Sequence, residues 1–95
     1  MRYEIVLAPQ AVEDLRRLRA SVRAEVRDAL EKYLRFEPAK GGRSRIKHLR
    51  GLSRPQDRLR VGEVRVYYDV QGRVVDVIAI VPKARAEQWI RRAGE

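Results

Sequence analysis

Residues Asp57–Val70 read DRLRVGEVRVYYDV, and this stretch decides the architecture. Two alternating runs flank Gly62-Glu63, and glycine at the first position of a two-residue loop is the type II′ hairpin preference. Such a loop pairs Val61 with Val64, which sets Arg60 opposite Arg65, Leu59 opposite Val66 and Arg58 opposite Tyr67. One face of the hairpin is then apolar, while the other carries Arg58, Arg60, Arg65 and Tyr67. Directly opposed like charges cost a strand pair roughly 0.2–1 kcal/mol, so setting Arg60 across from Arg65 works against the fold. A polyanionic ligand accounts for that arrangement; the plain alternative is a solvated face.

Outward from the hairpin, the whole chain leans the same way. Its 22 Lys and Arg against 13 Asp and Glu give a net charge of +9 over 95 residues. That balance suits nucleic acid, with an anionic membrane surface or an acidic protein as the other polyanions. The length predicts one domain over residues 1–95, with a core of modest size that a partner would help stabilise. With no cysteine and one histidine, the chain offers no disulfide, no thiol nucleophile and no zinc site, so neither metal nor cofactor is expected. The opening MRYEIVLAP is not a secretory leader, and no run approaches the roughly 20 apolar residues of a membrane span. A cytoplasmic protein with no membrane partner is the expectation.

Before the hairpin, Tyr3–Leu7 reads as a strand, stopped by Ala8-Pro9. Pro9 suits the first turn of a helix in which Ala11, Val12, Leu15 and Leu18 form the apolar stripe. Ser21 is placed to cap a second helix carrying Val22, Val26, Ala29, Leu30 and Tyr33 on one side. The acidic residues of this helical hairpin lie among basic ones at ion-pair spacing, which does not mark a catalytic carboxylate pair. Pro38–Ser44 is a loop that lacks the features of a phosphate-binding one. Arg45–Leu49 resumes alternation, and residues 50–55 turn the chain into the central hairpin.

After the hairpin, Gln71-Gly72 reads as the next turn. Val74–Val81, apolar on both faces apart from Asp76, belongs in the middle of a covered sheet. Pairing Val70 with Arg73 places Asp76 across from Tyr67, where it would orient Arg65 or Tyr67 or relieve the arginine repulsion. Pro82 ends the strand, and Lys83–Arg92 reads as a short helix whose Trp89 covers Ile78 and Ile80. The resulting fold class is α+β: a strand, a helical hairpin, then a mainly antiparallel sheet of about four strands with a short C-terminal helix.

Three features carry a resemblance: this order of elements, the run Leu49-Arg50-Gly51 to Arg58-Leu59-Arg60-Val61-Gly62 to Arg65-Val66-Tyr67-Tyr68, and a basic C-terminal segment closing on an aromatic residue. Over nearly its whole length the chain resembles the RelE/ParE superfamily of toxin–antitoxin toxins, the RelE-like branch above all. That resemblance implies a single toxin domain over residues 1–95, acting as a metal-independent endoribonuclease that cuts mRNA on the ribosome. Translation inhibition and growth arrest would follow. It further implies a cognate antitoxin that binds through an acidic, partly disordered segment. Carried over by position, Arg58 and Arg60 match the family's basic strand positions, Arg65 its arginine of the YR-type motif, and Lys83 or Arg85 its basic residue after the last strand. These five are the expected catalytic residues, and Lys47, His48, Arg50, Tyr67 and Trp89 are the expected RNA contacts. The C-terminal tyrosine of the family has no counterpart, since Trp89 or Ile90 falls at its place, and tryptophan cannot relay a proton.

Attack by a neighbouring 2′-OH needs a base, in-line geometry, charge stabilisation on the phosphorane and a proton for the 5′ oxygen. Arginines stay protonated and supply only the charge stabilisation. Lys83, His48 and Asp76 are the candidate bases. A ParE-like inhibitor of DNA gyrase and a non-catalytic RNA- or ribosome-binding module are the readings from other classes.

Overall fold

The computed structural model describes residues 2–38, 45–51 and 54–93. The first strand, β1 (Glu4–Leu7), runs through Ala8 into α1 (Pro9–Arg17), with Pro9 at the first helical position, where its missing N–H breaks no bond. α1 stops because Leu18 turns extended. The Arg23 guanidinium then donates to the carbonyls of Arg16 and Leu18, each at 3.3 Å, meeting acceptors that a helix end leaves open. The second helix, α2 (Ala20–Ala29), is nucleated two residues ahead of Ser21: Arg19 is the N-cap, and its carbonyl accepts the Arg23 N–H at 2.8 Å. Ser21 therefore caps nothing, contrary to its reading from sequence.

A π-helical segment, Leu30–Leu34, continues α2 and directs both Leu30 and Leu34 into the core. Arg35 follows, donating to the Tyr3 carbonyl at 2.9 Å and accepting the Tyr3 N–H on its own carbonyl at 2.7 Å. These bonds tie the end of the helical hairpin to the start of β1. Of the loop expected over Pro38–Ser44, only Pro38 is among the described residues. Residues 39–44, and residues 52–53 of the turn before the central hairpin, lie outside them.

The remaining strands are β2 (Ile46–His48), β3 (Asp57–Val61), β4 (Val64–Gln71) and β5 (Val74–Pro82), and α3 (Lys83–Ala93) closes the described chain. They form one five-stranded sheet in the order β1-β5-β4-β3-β2, antiparallel except where β1 lies parallel to β5. The helical hairpin covers one face. There Leu59, Val66, Tyr68, Val75 and Val77 are fully excluded from solvent and pack with Ala11, Leu15, Val26 and Leu34. A smaller cluster on the opposite face joins Tyr67, Ala79 and Val81 to Ile78, Leu49, Ala86, Trp89 and Ile90. α3 is therefore held on that face by its apolar side.

The β3–β4 hairpin has the register read from its loop: Val61 with Val64, Arg60 with Arg65, Leu59 with Val66, Arg58 with Tyr67. Gly62 has φ +55 and, among the described residues, no non-glycine residue has positive φ, which fits the II′ arrangement. The β4–β5 hairpin departs from the expected register. Gln71 pairs with Val74, so Gly72-Arg73 is the loop, with Gly72 at φ +59. A bulge then falls between Tyr67 and Tyr68: Tyr67 pairs with Ala79 and Tyr68 with Val77, and Ile78 has no opposite number.

The bulge reverses the facing of β5 along its length. Val75 and Val77 face the helices before it, and Ile80 does so after it. Asp76 lies on the turn side of the bulge, and the Gln71–Val74 pairing of the loop already sets it opposite Asp69, not Tyr67, so it cannot orient Arg65. Arg54 bridges these carboxylates, with Nε 2.7 Å from Asp69 Oδ2 and NH2 3.2 Å from Asp76 Oδ2. Asp69 also accepts the Gln56 N–H at 2.7 Å, which anchors the approach to β3.

A candidate nucleic-acid interface

Period-2 alternation puts Arg58 and Arg60 of β3, Arg65 and Tyr67 of β4, and Lys47 of β2 on the face away from the helical hairpin. They fall in two rows across the sheet. Lys47 pairs with Arg58, which pairs with Tyr67, which pairs with Ala79; Arg60 pairs with Arg65, which pairs with Val81. Each row thus contains a directly opposed pair of cations, Lys47–Arg58 in one and Arg60–Arg65 in the other. Sequence reading reached the second pair but not the first, because β2 lies beyond a loop that hides its register.

Arg58 is half-buried, and its guanidinium is held below the usual arginine range by that burial, then by the charge of Arg65 and less by that of Arg60; Tyr67 opposes the shift. Arg65 has one amino nitrogen bonded to the turn, 2.9 Å from the Gly62 carbonyl and 3.1 Å from that of Val64. This ties its side chain to the hairpin and leaves its other nitrogens for a ligand. Tyr67 is 4% exposed. Burial raises its phenol, against the pull of Arg58 and Arg65, so it is a ring in the floor of the site and no base.

α3 crosses this face. Trp89 stacks on Tyr67 with ring centroids 4.6 Å apart and planes 19° from parallel, a contact worth roughly 0.5–1.5 kcal/mol beyond the area it buries. The expected cover of Ile78 is found, but Ile80 faces the helices and is not covered by Trp89. With one face on Tyr67, the indole has only its other face and edges for a nucleobase. Lys83 opens α3, and its N–H donates to the Glu63 carbonyl at 2.8 Å. That bond sets Lys83 at the mouth of the Gly62-Glu63 turn, beside the Arg60–Arg65 row.

Past the far side of Tyr67, Lys47, His48 and Arg50 line a cavity of about 470 Å³ with Leu49 and Ile90. His48 has Nδ1 3.0 Å from Oδ1 of the buried Asp57, its cross-strand partner. Alternation places that pair on the side of the strands opposite Arg58 and Arg60, so His48 meets the site only from the sheet's edge. Arg85 is separate again: it turns toward α1 and lines a cavity between the two helices. Of the expected catalytic set, then, Arg58, Arg60 and Arg65 share the hairpin face, and the Lys83 backbone is bonded to the hairpin's turn. Two groups escaped the sequence reading, Arg54 and the α1 residues facing Arg85; both sit in helix or turn positions whose partners are distant in the chain.

A helical hairpin backing a five-stranded sheet, with a basic opposite face crossed by a C-terminal helix, defines an α+β class. Residues 5–87 match the family model described as ParE toxin of type II toxin-antitoxin system, parDE. The chain belongs to this family of the RelE/ParE superfamily.

Solved structures with similar folds include the toxin–antitoxin complex RelBE2 from Mycobacterium tuberculosis, at TM-score 0.74 and 21% identity, covering 86% of this chain and 99% of that one. The RelB–RelE antitoxin–toxin complex from Methanococcus jannaschii has TM-score 0.66 and 17% identity, with 88% and 96% covered. A mutant of Escherichia coli toxin RelE in the free state has TM-score 0.59 and 24% identity, with 98% and 95% covered. A comparison with curated protein sequences gives no match. Among the described residues, no helix is long and apolar enough to cross a membrane.

Proposed function

We propose that this toxin acts on RNA, as a ribosome-dependent endoribonuclease that cuts mRNA by attack of the 2′-OH on the adjacent phosphate and so arrests translation. The observation that carries this reading is the pair of cation rows on the open sheet face. Like charges set directly opposite one another weaken a sheet and are offset when a polyanion binds between them. In this reading Arg58, Arg60 and Arg65 hold the scissile phosphate and stabilise the charge that develops on it. Lys83, beside the Arg60–Arg65 row, takes the 2′ proton, and the departing 5′ oxygen takes a proton from water. Tyr67 and Trp89 form an aromatic platform on which a base can stack from the open side. Lys47, His48 and Arg50 guide the flanking backbone. The chemistry needs no metal, since nucleophile and leaving group both belong to the RNA.

The partner in this reading is a co-expressed antitoxin whose acidic segment orders on the basic face. Support comes from the fold neighbours, which include complexes of RelE toxins with RelB antitoxins. The family description, which names ParE and parDE, favours a second reading: inhibition of DNA gyrase on the same scaffold, without nuclease chemistry.

End-group analysis separates the two. Incubation with ribosomes and mRNA is expected to give 5′ fragments ending in a cyclic 2′,3′-phosphate. Lys83→Met is expected to lose cleavage while keeping most of its affinity for RNA. Intact RNA, together with gyrase trapped on cleaved DNA, would hand the protein to the second reading.

A further inference from the structure

Another concentration of arginine lies at the edge of the molecule. β1 pairs with β5 only as far as Val77, so among the described residues no strand lies on the outer side of the last part of β5. There α1 and α3 flank the strand and enclose a cavity of about 200 Å³. Gln10, Asp14 and Arg17 line it from α1, and Arg85, Gln88 and Arg92 from α3. In both helices these spacings of three and four residues bring side chains onto one face.

The strand edge at the base of the cavity is closed to further pairing. Asp14 Oδ2 accepts the Ile80 N–H at 2.9 Å, and Pro82 has no N–H to offer. Asp14 is also engaged through its other oxygen, which accepts from Gln10 Nε2 at 2.8 Å. The side chains of Arg17, Arg85 and Arg92 make no ion pair or hydrogen bond with any described residue. Positive charge is therefore in excess around a space that no extended peptide can enter by adding a strand. A ligand held by its charges alone fits these terms.

We infer that this groove binds backbone phosphates of the same RNA whose reacting segment lies on the sheet face, an inference that rests on the RNA reading above. The two places are continuous. Val81 lines the groove and is the cross-strand partner of Arg65, and Trp89 lines it while stacking on Tyr67. Lys83 stands at the start of α3, between them. A strand of RNA leaving the Arg60–Arg65 row past Lys83 meets Arg85 first and then Arg17 and Arg92. Each guanidinium fork can take two phosphate oxygens. Contacts of this kind fix position and add affinity without reading sequence.

The test is the salt dependence of binding to a single-stranded RNA dodecamer, measured by fluorescence anisotropy on the full chain. Arg17→Gln combined with Arg92→Gln is expected to flatten the log–log slope by about 0.7 for each arginine removed, and the loss of affinity should be smaller for a trinucleotide. The Arg17→Lys, Arg92→Lys pair keeps both charges and is expected to keep the slope. An unchanged slope in the glutamine pair overturns the inference, as does an equal loss in the lysine pair, which would report a damaged fold. A polyglutamate peptide that binds the native chain and is lost in the glutamine pair, with RNA binding unaltered, assigns the groove to an acidic protein instead. If the native chain binds no RNA of either length, the RNA reading fails together with this extension of it.

Discussion

The two faces of the sheet are written in alternate letters of the same strands, yet they obey opposite rules. Toward the helices, Leu59, Val61, Val64, Val66 and Tyr68 are buried in one continuous core. One residue away in each case, Arg58, Arg60 and Arg65 confront Lys47 and each other. The first face follows from removing apolar area from water at roughly 25 cal/mol per Å². The second is unfavourable by the same kind of accounting, a cost that the proposed RNA ligand would offset.

The largest effect expected from breaking this contrast is on the buried side. Leu59→Ala should lower the unfolding free energy by about 2–5 kcal/mol, read as a lower urea midpoint, with activity lost only in proportion to the unfolded fraction. Trp89→Ala comes next, at roughly 1–3 kcal/mol, since the indole is partly exposed but removes both area and a ring stack. It also uncovers Tyr67. The phenol, raised from 10.0 chiefly by burial, should then titrate lower, which an ultraviolet pH titration checks.

The same shift has a sign for stability. A phenol whose folded pKa lies above its unfolded value stabilises the fold fully below about pH 10 and loses that contribution as pH rises through the folded value. Tyr67 and Tyr68 are both raised by burial. Alkaline unfolding should accordingly begin above pH 10 and shift to higher pH in Tyr67→Phe; no shift would mean that other groups control it. The smallest stability effect belongs to the basic face. Arg60→Ala should leave the protein as stable as the native chain or more stable by roughly 0.2–1 kcal/mol, while growth arrest is lost. A clear destabilisation would show that the arginine serves the fold.

The central hairpin was legible because a two-residue loop with glycine at its first position leaves one register. The next hairpin obeys the same rule at Gly72, and its loop is Gly72-Arg73; reading Gln71-Gly72 placed glycine second and displaced every pair behind it. The bulge at Ile78 left no trace in the sequence, since VVDVIAIV is apolar on both faces and a slip of one residue exchanges one apolar side chain for another. The displaced turn, not the bulge, is why Asp76 was misassigned and why the Arg54 clamp on Asp69 and Asp76 went unseen. At the candidate site, Arg58, Arg60, Arg65 and Tyr67 were readable because they lie within one hairpin. Arg85 was not, since the direction of a side chain from α3 depends on α1, which is remote in sequence.

The central claim is that the opposed arginines exist for RNA and not for the fold. It is tested most directly by comparing the native chain with the Arg60→Ala, Arg65→Ala variant in one ribosome-dependent cleavage assay, with urea unfolding measured on the same preparations. The account predicts cyclic 2′,3′-phosphate ends from the native chain, none from the variant, and a urea midpoint in the variant equal to or above the native one. Cleavage by the folded variant at the native rate would contradict it.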